Sequence, residues 1–330
     1  MELQKLITYT ERVNGGGELT KEEALELLSL PDNDTPLLLA FADKIRQHFH
    51  GDAVDCCAIV NGRSGKCPEN CRFCAQSAHY DTGVSEYPLL SETALLQAAA
   101  KAKAAGATRF SIVTGGRSVT EGPEFTAVLT ALRRIRSEVG IETCCSLGLI
   151  TNKQLHELKA AGVGRYHANI ETAPSYFPSI CSTHGFADKA ALIRMAGEAG
   201  LRVCSGGIIG LGETPEQRIE MACTLRDLGV DSIPLNILNP IAGTPLAAAP
   251  HLEPWEILRT FAVFRFLLPQ AQIRTAGGRE ANLRSLQAYA LTSGLNGLMI
   301  GGYLTTSGNA VSVDAQMLAD LKRKPVQPQC

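Results

Sequence analysis

The stretch TRFSIVTGGRSVTEGPEFTAVLTALRRIRSEVGIETCCS, residues 108–146, decides the fold. Residues 108–113 form a short run of strand-forming residues. Residues 122–140 are amphipathic and end on Gly140, the expected stop for a helix. IETCCS at 141–146 then reads as a second strand. This strand–helix–strand unit repeats in both directions. Further strand-like runs lie at 54–60, 165–170, 201–209, 231–237, 271–276 and 297–302, with glycine-terminated helical stretches at 91–106, 151–162 and 214–229. Eight such units over about 250 residues predict an α/β fold of the TIM-type, a (β/α)8 barrel. An open doubly wound sheet is the other choice, but no GxGxxG follows the first strand.

Outside the barrel, residues 1–50 read as a helical extension. Thr20 and Glu23 form a capping-box signature, and Thr35 with Pro36 marks a further helix start. The barrel is expected over 51–308, and 309–330 as a tail with a short helix and a frayed end. No linker rich in Pro, Gly or Ser divides the core.

Hydrophobic residues make up 45% of the 330 and charged residues 19%, so a soluble globular protein is expected rather than a disordered one. The net charge of -2, without a basic run, argues against nucleic acid or a membrane surface as partner. The N-terminus lacks a signal-peptide layout, which points to a cytoplasmic protein. Eleven cysteines in such a chain are more often metal ligands or redox groups than disulfides, although some should be inert core residues.

Three of them crowd into GKCPENCRFCAQ, residues 65–76: Cys67, Cys71 and Cys74. They follow the first strand, at the end of the barrel where active sites are built. With His79 they could form a closed zinc site. Alternatively they hold three irons of a cubane and leave the fourth open to a non-protein ligand. A closed structural site gains nothing from a catalytic mouth, whereas an open iron needs it.

This C-x3-C-x2-C motif, with Phe73 before its last cysteine, resembles that of radical S-adenosylmethionine (SAM) enzymes. The resemblance narrows to the biotin synthase family through CPENCRFCAQSAHY (67–80), ATRFSI (107–112), VCSGGIIGLGET (203–214), LNILNPIAGTPL (235–246) and IRTAGGRE (273–280), and it spans about residues 40 to 310. It implies a 4Fe–4S cluster on Cys67, Cys71 and Cys74, with SAM on the open iron as the source of a deoxyadenosyl radical. It also implies sulfur insertion into dethiobiotin from an auxiliary iron–sulfur cluster deeper in the barrel. A flavodoxin or ferredoxin as electron donor and a homodimer follow from the same resemblance.

By that resemblance the auxiliary ligands fall at position 111, Cys144, Cys204 and Arg274. Position 111 departs from the family pattern, being serine rather than cysteine. Neighbouring Cys144 and Cys145 must face opposite ways, so Cys145 should be a core residue. An auxiliary cluster is expected to survive with altered ligation, as 2Fe–2S or larger, with Cys57 or Cys181 joining Cys144 and Cys204. SAM contacts are expected at Phe73, Thr114, Gly115, Gly116, Asn169, Glu171, Gly207 and Ile208. Substrate contacts are expected at His167, Asn236, Thr305 and Thr306. His167, Asn169 and Glu171 are two residues apart and share one face. Two rival readings stand beside this one. A hydrogenase-maturase-like radical SAM enzyme would have lost sulfur insertion with Ser111, though Cys144, Cys204 and Arg274 speak against it. A non-catalytic zinc or iron–sulfur protein would not bind SAM.

Overall fold

The computed structural model describes residues 3–326. Parallel strands β1 (Ala53–Arg63), β2 (Arg109–Thr114), β3 (Glu142–Ser146) and β4 (Arg165–His167) pair in sequence order. They continue through β5 (Arg202–Cys204), β6 (Gly207–Ile209), β7 (Ser232–Ile237), β8 (Gln272–Thr275) and β9 (Gly297–Met299). β9 pairs with β1, with Asp55 opposite Gly297, and the sheet closes into the expected barrel. β5 and β6 both pair with β7, so the single run expected at 201–209 is one stave broken at Ser205–Gly206. At the break the chain passes close to β7, where only glycine fits: a Cβ on Gly206 would lie 1.9 Å from the Pro234 carbonyl oxygen.

Helices Glu92–Ala104, Pro123–Arg134, Asn152–Ala160, Phe186–Glu198, Pro215–Asp227 and Pro254–Leu267 surround the barrel. Helix 123–134 runs on through a π-turn to Gly140, whose φ of 66° reverses the chain into β3. Strand residues that face the helices are apolar. Cys56, Phe110, Cys145 and Tyr166 are all buried in this layer, which bears out the expectation for Cys145.

The N-terminal helices α1 (Leu3–Asn14), α2 (Lys21–Leu28) and α3 (Thr35–His50) are packed rather than appended. α2 and α3 lie against helix 254–267. The Thr20–Glu23 capping box is formed. α3 starts at Thr35 with Pro36 in its first turn, as expected, and the Thr35 hydroxyl donates to the Pro31 carbonyl.

The expected frayed end needs correction as far as residue 326. Helix Val311–Asp320 is anchored by Asp314, fully buried against Arg279 at 2.7 Å. Lys324–Pro325 adds as a parallel strand to the start of β1, and Arg323 bridges Asp43 and Asp52. Residues 327–330 of the expected tail, and 1–2 of the extension, lie outside the described residues. Among the described residues, no helix is long and apolar enough to cross a membrane.

Candidate active site

Loop 64–80, which leaves β1 at the C-terminal mouth of the barrel, carries the three clustered cysteines. It is folded on itself by main-chain bonds from Cys67 N to Gln76 O, Ala78 N to Cys67 O and Cys74 N to Cys71 O. Side chains brace it further. Tyr80 donates to Asn70 O at 2.6 Å, and Glu69 is held by Arg117, Thr183 and His184. All three thiols are partly buried. Burial raises their pKa values, that of Cys74 to about 11. For Cys67, the backbone amides of Glu69 and Gly116 oppose that rise.

His79, the fourth ligand of the alternative zinc site, has its Nε2 3.0 Å from Pro68 O. One group among the described residues closes to 4.8 Å, and it is Cys71, Cys181 and His184. Cys181 is therefore seated at the mouth, beside Cys71 and 3.4 Å from Asn70 Oδ1. The structure does not bring it to Cys144 and Cys204, as one of the sequence expectations required.

Below the mouth, a cavity of about 370 Å³ runs down the barrel axis. Phe73 and Cys74 border its upper end, and Cys57, Ser111, Cys144, Cys204 and Arg274 border its floor. Strand alternation puts these groups inside: each faces inward while Cys56 and Cys145 face the helices. The floor also holds charges that sequence reasoning did not single out. Asp55, Arg109 and Arg165 are buried there with Arg274. Each of the first three lies two residues before a chosen site residue (Cys57, Ser111 or His167), so the same alternation would have found them.

Their charges do not balance. Arg109 and Arg274 both bridge Asp55, the latter at 2.8 Å, and Arg109 also reaches the partly exposed Glu142. Arg165 has the partly exposed Asp231 3.6 Å away. Three buried guanidiniums thus meet one buried carboxylate. Several donors there are also buried without a hydrogen-bond partner: Arg165 Nε and Nη1, Arg274 Nε and the Ser111 hydroxyl. Unpaired buried donors of this kind are costly unless an anion completes them. Burial pushes the Cys57 and Cys144 thiols up. At Cys204 the effect of burial is outweighed by His167, Arg274 and Arg165, which bring it down to about 6. A cluster ligated by thiolates carries the negative charge and the sulfur acceptors that this floor lacks, so the residues present fit one.

The other expected site residues divide into two sets. Phe73, Asn169, Glu171, Ile208, Asn236, Thr305 and Thr306 line the cavity. Within that set, Asn236 already accepts from Gly277 N and donates to Gly207 O, which leaves one further bond at each end of its amide. Asn169 accepts from Gly206 N and holds open the break between β5 and β6. His167 also lines the cavity, but its Nδ1 lies 3.3 Å from Cys204 Sγ, so it faces a thiol rather than free space. Thr114, Gly115, Gly116 and Gly207 do not line the cavity. The two glycines after β2 make room for the chain itself, packing against Gln76 and Arg63, and Gly207 does so against Glu171 and Met221.

Comparison with known proteins agrees with this geometry. The family model described as Radical SAM superfamily matches residues 63–236, and that described as Biotin and Thiamin Synthesis associated domain matches 234–324. The chain is 51% identical over 320 residues to a biotin synthase of Geobacter sulfurreducens, covering 96% of this chain and 97% of that protein. To a biotin synthase of Pelotomaculum thermopropionicum it is 51% identical over 312 residues, 94% of this chain and 97% of that one. Among solved structures, methylornithine synthase superposes with a TM-score of 0.82 at 19% identity, over 97% of each chain. HydG, a maturase of the FeFe-hydrogenase, gives 0.82 at 16% identity, over all of this chain and 77% of that one. At such identities these structures share the fold alone.

Proposed function

The chain belongs to the biotin synthase family of radical SAM enzymes, and from that premise we propose how its barrel divides the work. The reaction is sulfur insertion into dethiobiotin to give biotin, at the expense of SAM. Bound cofactors supply the difficult chemistry: the 4Fe–4S cluster with SAM provides hydrogen abstraction, and the auxiliary iron–sulfur cluster provides the sulfur atom.

The protein's own residues hold, orient and enclose. Cys67, Cys71 and Cys74 hold the first cluster on a loop stiffened by Glu69 and Tyr80. Glu171 presents its carboxylate, and Phe73 and Ile208 their apolar surface, to SAM along the upper cavity. Asn236 offers the free half of its amide to the ureido ring of dethiobiotin, and Thr305 with Thr306 receives the substrate carboxylate at the mouth. Cys144, Cys204 and Arg274 hold the auxiliary cluster, with His167 against the Cys204 sulfur. Apolar walls between the two ends keep water away from reactive species. A reductant is required; a flavodoxin or ferredoxin fills that role in this reading, and the enzyme works as a homodimer.

The observation that carries this reading is the single cavity joining the Cys74 end to the Cys57–Cys144–Cys204–Arg274 end. Substrate placed in it lies between hydrogen abstraction and the sulfur source, with no transfer between sites. The test is anaerobic incubation of the reconstituted protein with dethiobiotin, SAM and reductant. Biotin should appear together with 5′-deoxyadenosine. Deoxyadenosine without any sulfur-containing product from dethiobiotin would favour a sister radical reaction instead.

A further inference from the structure

We propose that Cys57, on β1, takes the ligand position that Ser111 leaves without a thiol, so that the interior cluster is held by Cys57, Cys144, Cys204 and Arg274. This rests on reading the barrel floor as the auxiliary cluster site.

Four observations carry it. First, the pair Cys56–Cys57 resolves into one outward and one inward thiol: Cys56 lies in the layer against the helices, and Cys57 borders the cavity. Second, the register places Cys57 close to the vacant position. Ser111 pairs with Ile59 on β1 and with Cys144 on β3, so Cys57 is the next inward side chain toward the floor from the neighbour of Ser111. Third, Cys57 borders the same cavity as Cys144, Cys204 and Arg274. Its own thiol makes only a 3.9 Å contact to Ala58 O, so no strong bond must be broken to free it.

Fourth, the barrel interior holds polar donors without partners. Arg165 Nε and Nη1, Arg274 Nε and Ser111 Oγ are all buried and unpaired. A cluster held by Cys57 would lie among residues that include Arg165 and Arg274. Ser111 then serves as a hydroxyl donor to sulfur, a role that serine fills well and cysteine poorly. Cys181, the other thiol that could have substituted, is occupied beside Cys71 and His184.

The test is anaerobic iron and sulfide analysis with Mössbauer spectroscopy in a Cys67/Cys71/Cys74→Ala background, where only the interior site can hold a cluster. That background should retain iron and sulfide. Adding Cys57→Ala should lower both at least fivefold, whereas adding Ser111→Ala or Cys181→Ala should leave most in place. Cys57→Ala combined with Ser111→Cys should regain the cluster, a rescue that a misfolded barrel could not show. Iron that survives Cys57→Ala, or is lost with Ser111→Ala, overturns the proposal and leaves the functional reading standing. A background that binds no iron even after reconstitution overturns the interior-cluster reading along with it.

Discussion

Glu171 is a long side chain held at φ 67°, a left-handed conformation that costs a residue with a Cβ roughly 1 kcal/mol. The strain is maintained by the next stave: Ile208 N donates to the Glu171 carbonyl at 2.8 Å, and Gly207 has no Cβ to push it away. A Cβ at 207 would meet the Glu171 oxygen at 2.6 Å and Met221 Sδ at 2.5 Å. The thioether can move; the carbonyl cannot without giving up its bond. Gly207→Ala should therefore cost about 1–3 kcal/mol in urea unfolding and weaken SAM binding in equilibrium dialysis. Glu171→Gly and Glu171→Ala should both weaken SAM binding, with the glycine variant about 1 kcal/mol the more stable. Equal stabilities would mean that the backbone relaxes once the carboxylate is gone. Period-two spacing was enough to put His167, Asn169 and Glu171 on one face. It could not show that β4 ends at His167 and that Glu171 is held by a backbone bridge to Gly207.

Among the elements, the helix Val311–Asp320 shows how a few polar contacts can dock a segment. Arg279 has no exposed side-chain surface, and both carboxylate oxygens of Asp314 accept from it, at 2.7 and 2.9 Å. Removing one member of such a pair leaves the other charged and buried, at a cost of about 3–5 kcal/mol. Asp314→Ala should release the segment, seen as faster amide exchange through 311–326, while Asp314→Asn, which keeps an acceptor, should lose less. If exchange in 311–326 did not change, the docking would have to reside in apolar contacts instead. The short helix was legible in the sequence, but its docking was not, because Arg279 and Asp314 are joined by tertiary contact and Lys324–Pro325 carries no strand signal. The barrel itself was legible because each unit repeats the same local pattern. The choice of Cys57 over Cys56 as the inward thiol agrees with the structure, where Cys57 borders the cavity and Cys56 lies in the layer against the helices.

At the scale of the whole molecule, the N-terminal helices are tied to the barrel through a buried cation. Arg265, on helix 254–267, donates to the carbonyls of Gly294, Pro269 and Ala271 and to Asn296 Oδ1, and its Nη1 lies 3.1 Å from Nε2 of His50 at the end of α3. His50 can accept that bond only when neutral. Burial lowers its pKa most, and the charges of Arg265 and Arg46 add to this against opposing carbonyls of Pro269 and Ala271, taking it from 6.5 to about 4. The folded chain thus favours the neutral ring. The resulting stability is fully present above pH 6.5 and is lost as pH falls through 4. For this half-buried ring, solvent screening leaves roughly 2 kcal/mol of that linkage. His50→Gln retains an acceptor for Arg265 but does not titrate. Urea unfolding at pH 7.5 and pH 4.5 should therefore show wild type losing stability relative to His50→Gln as the solution is acidified. A gap between the two proteins that stays constant across this range would mean that folding does not depress the pKa of His50, and the Arg265–His50 contact would then add nothing pH-dependent to the tie between α3 and the barrel.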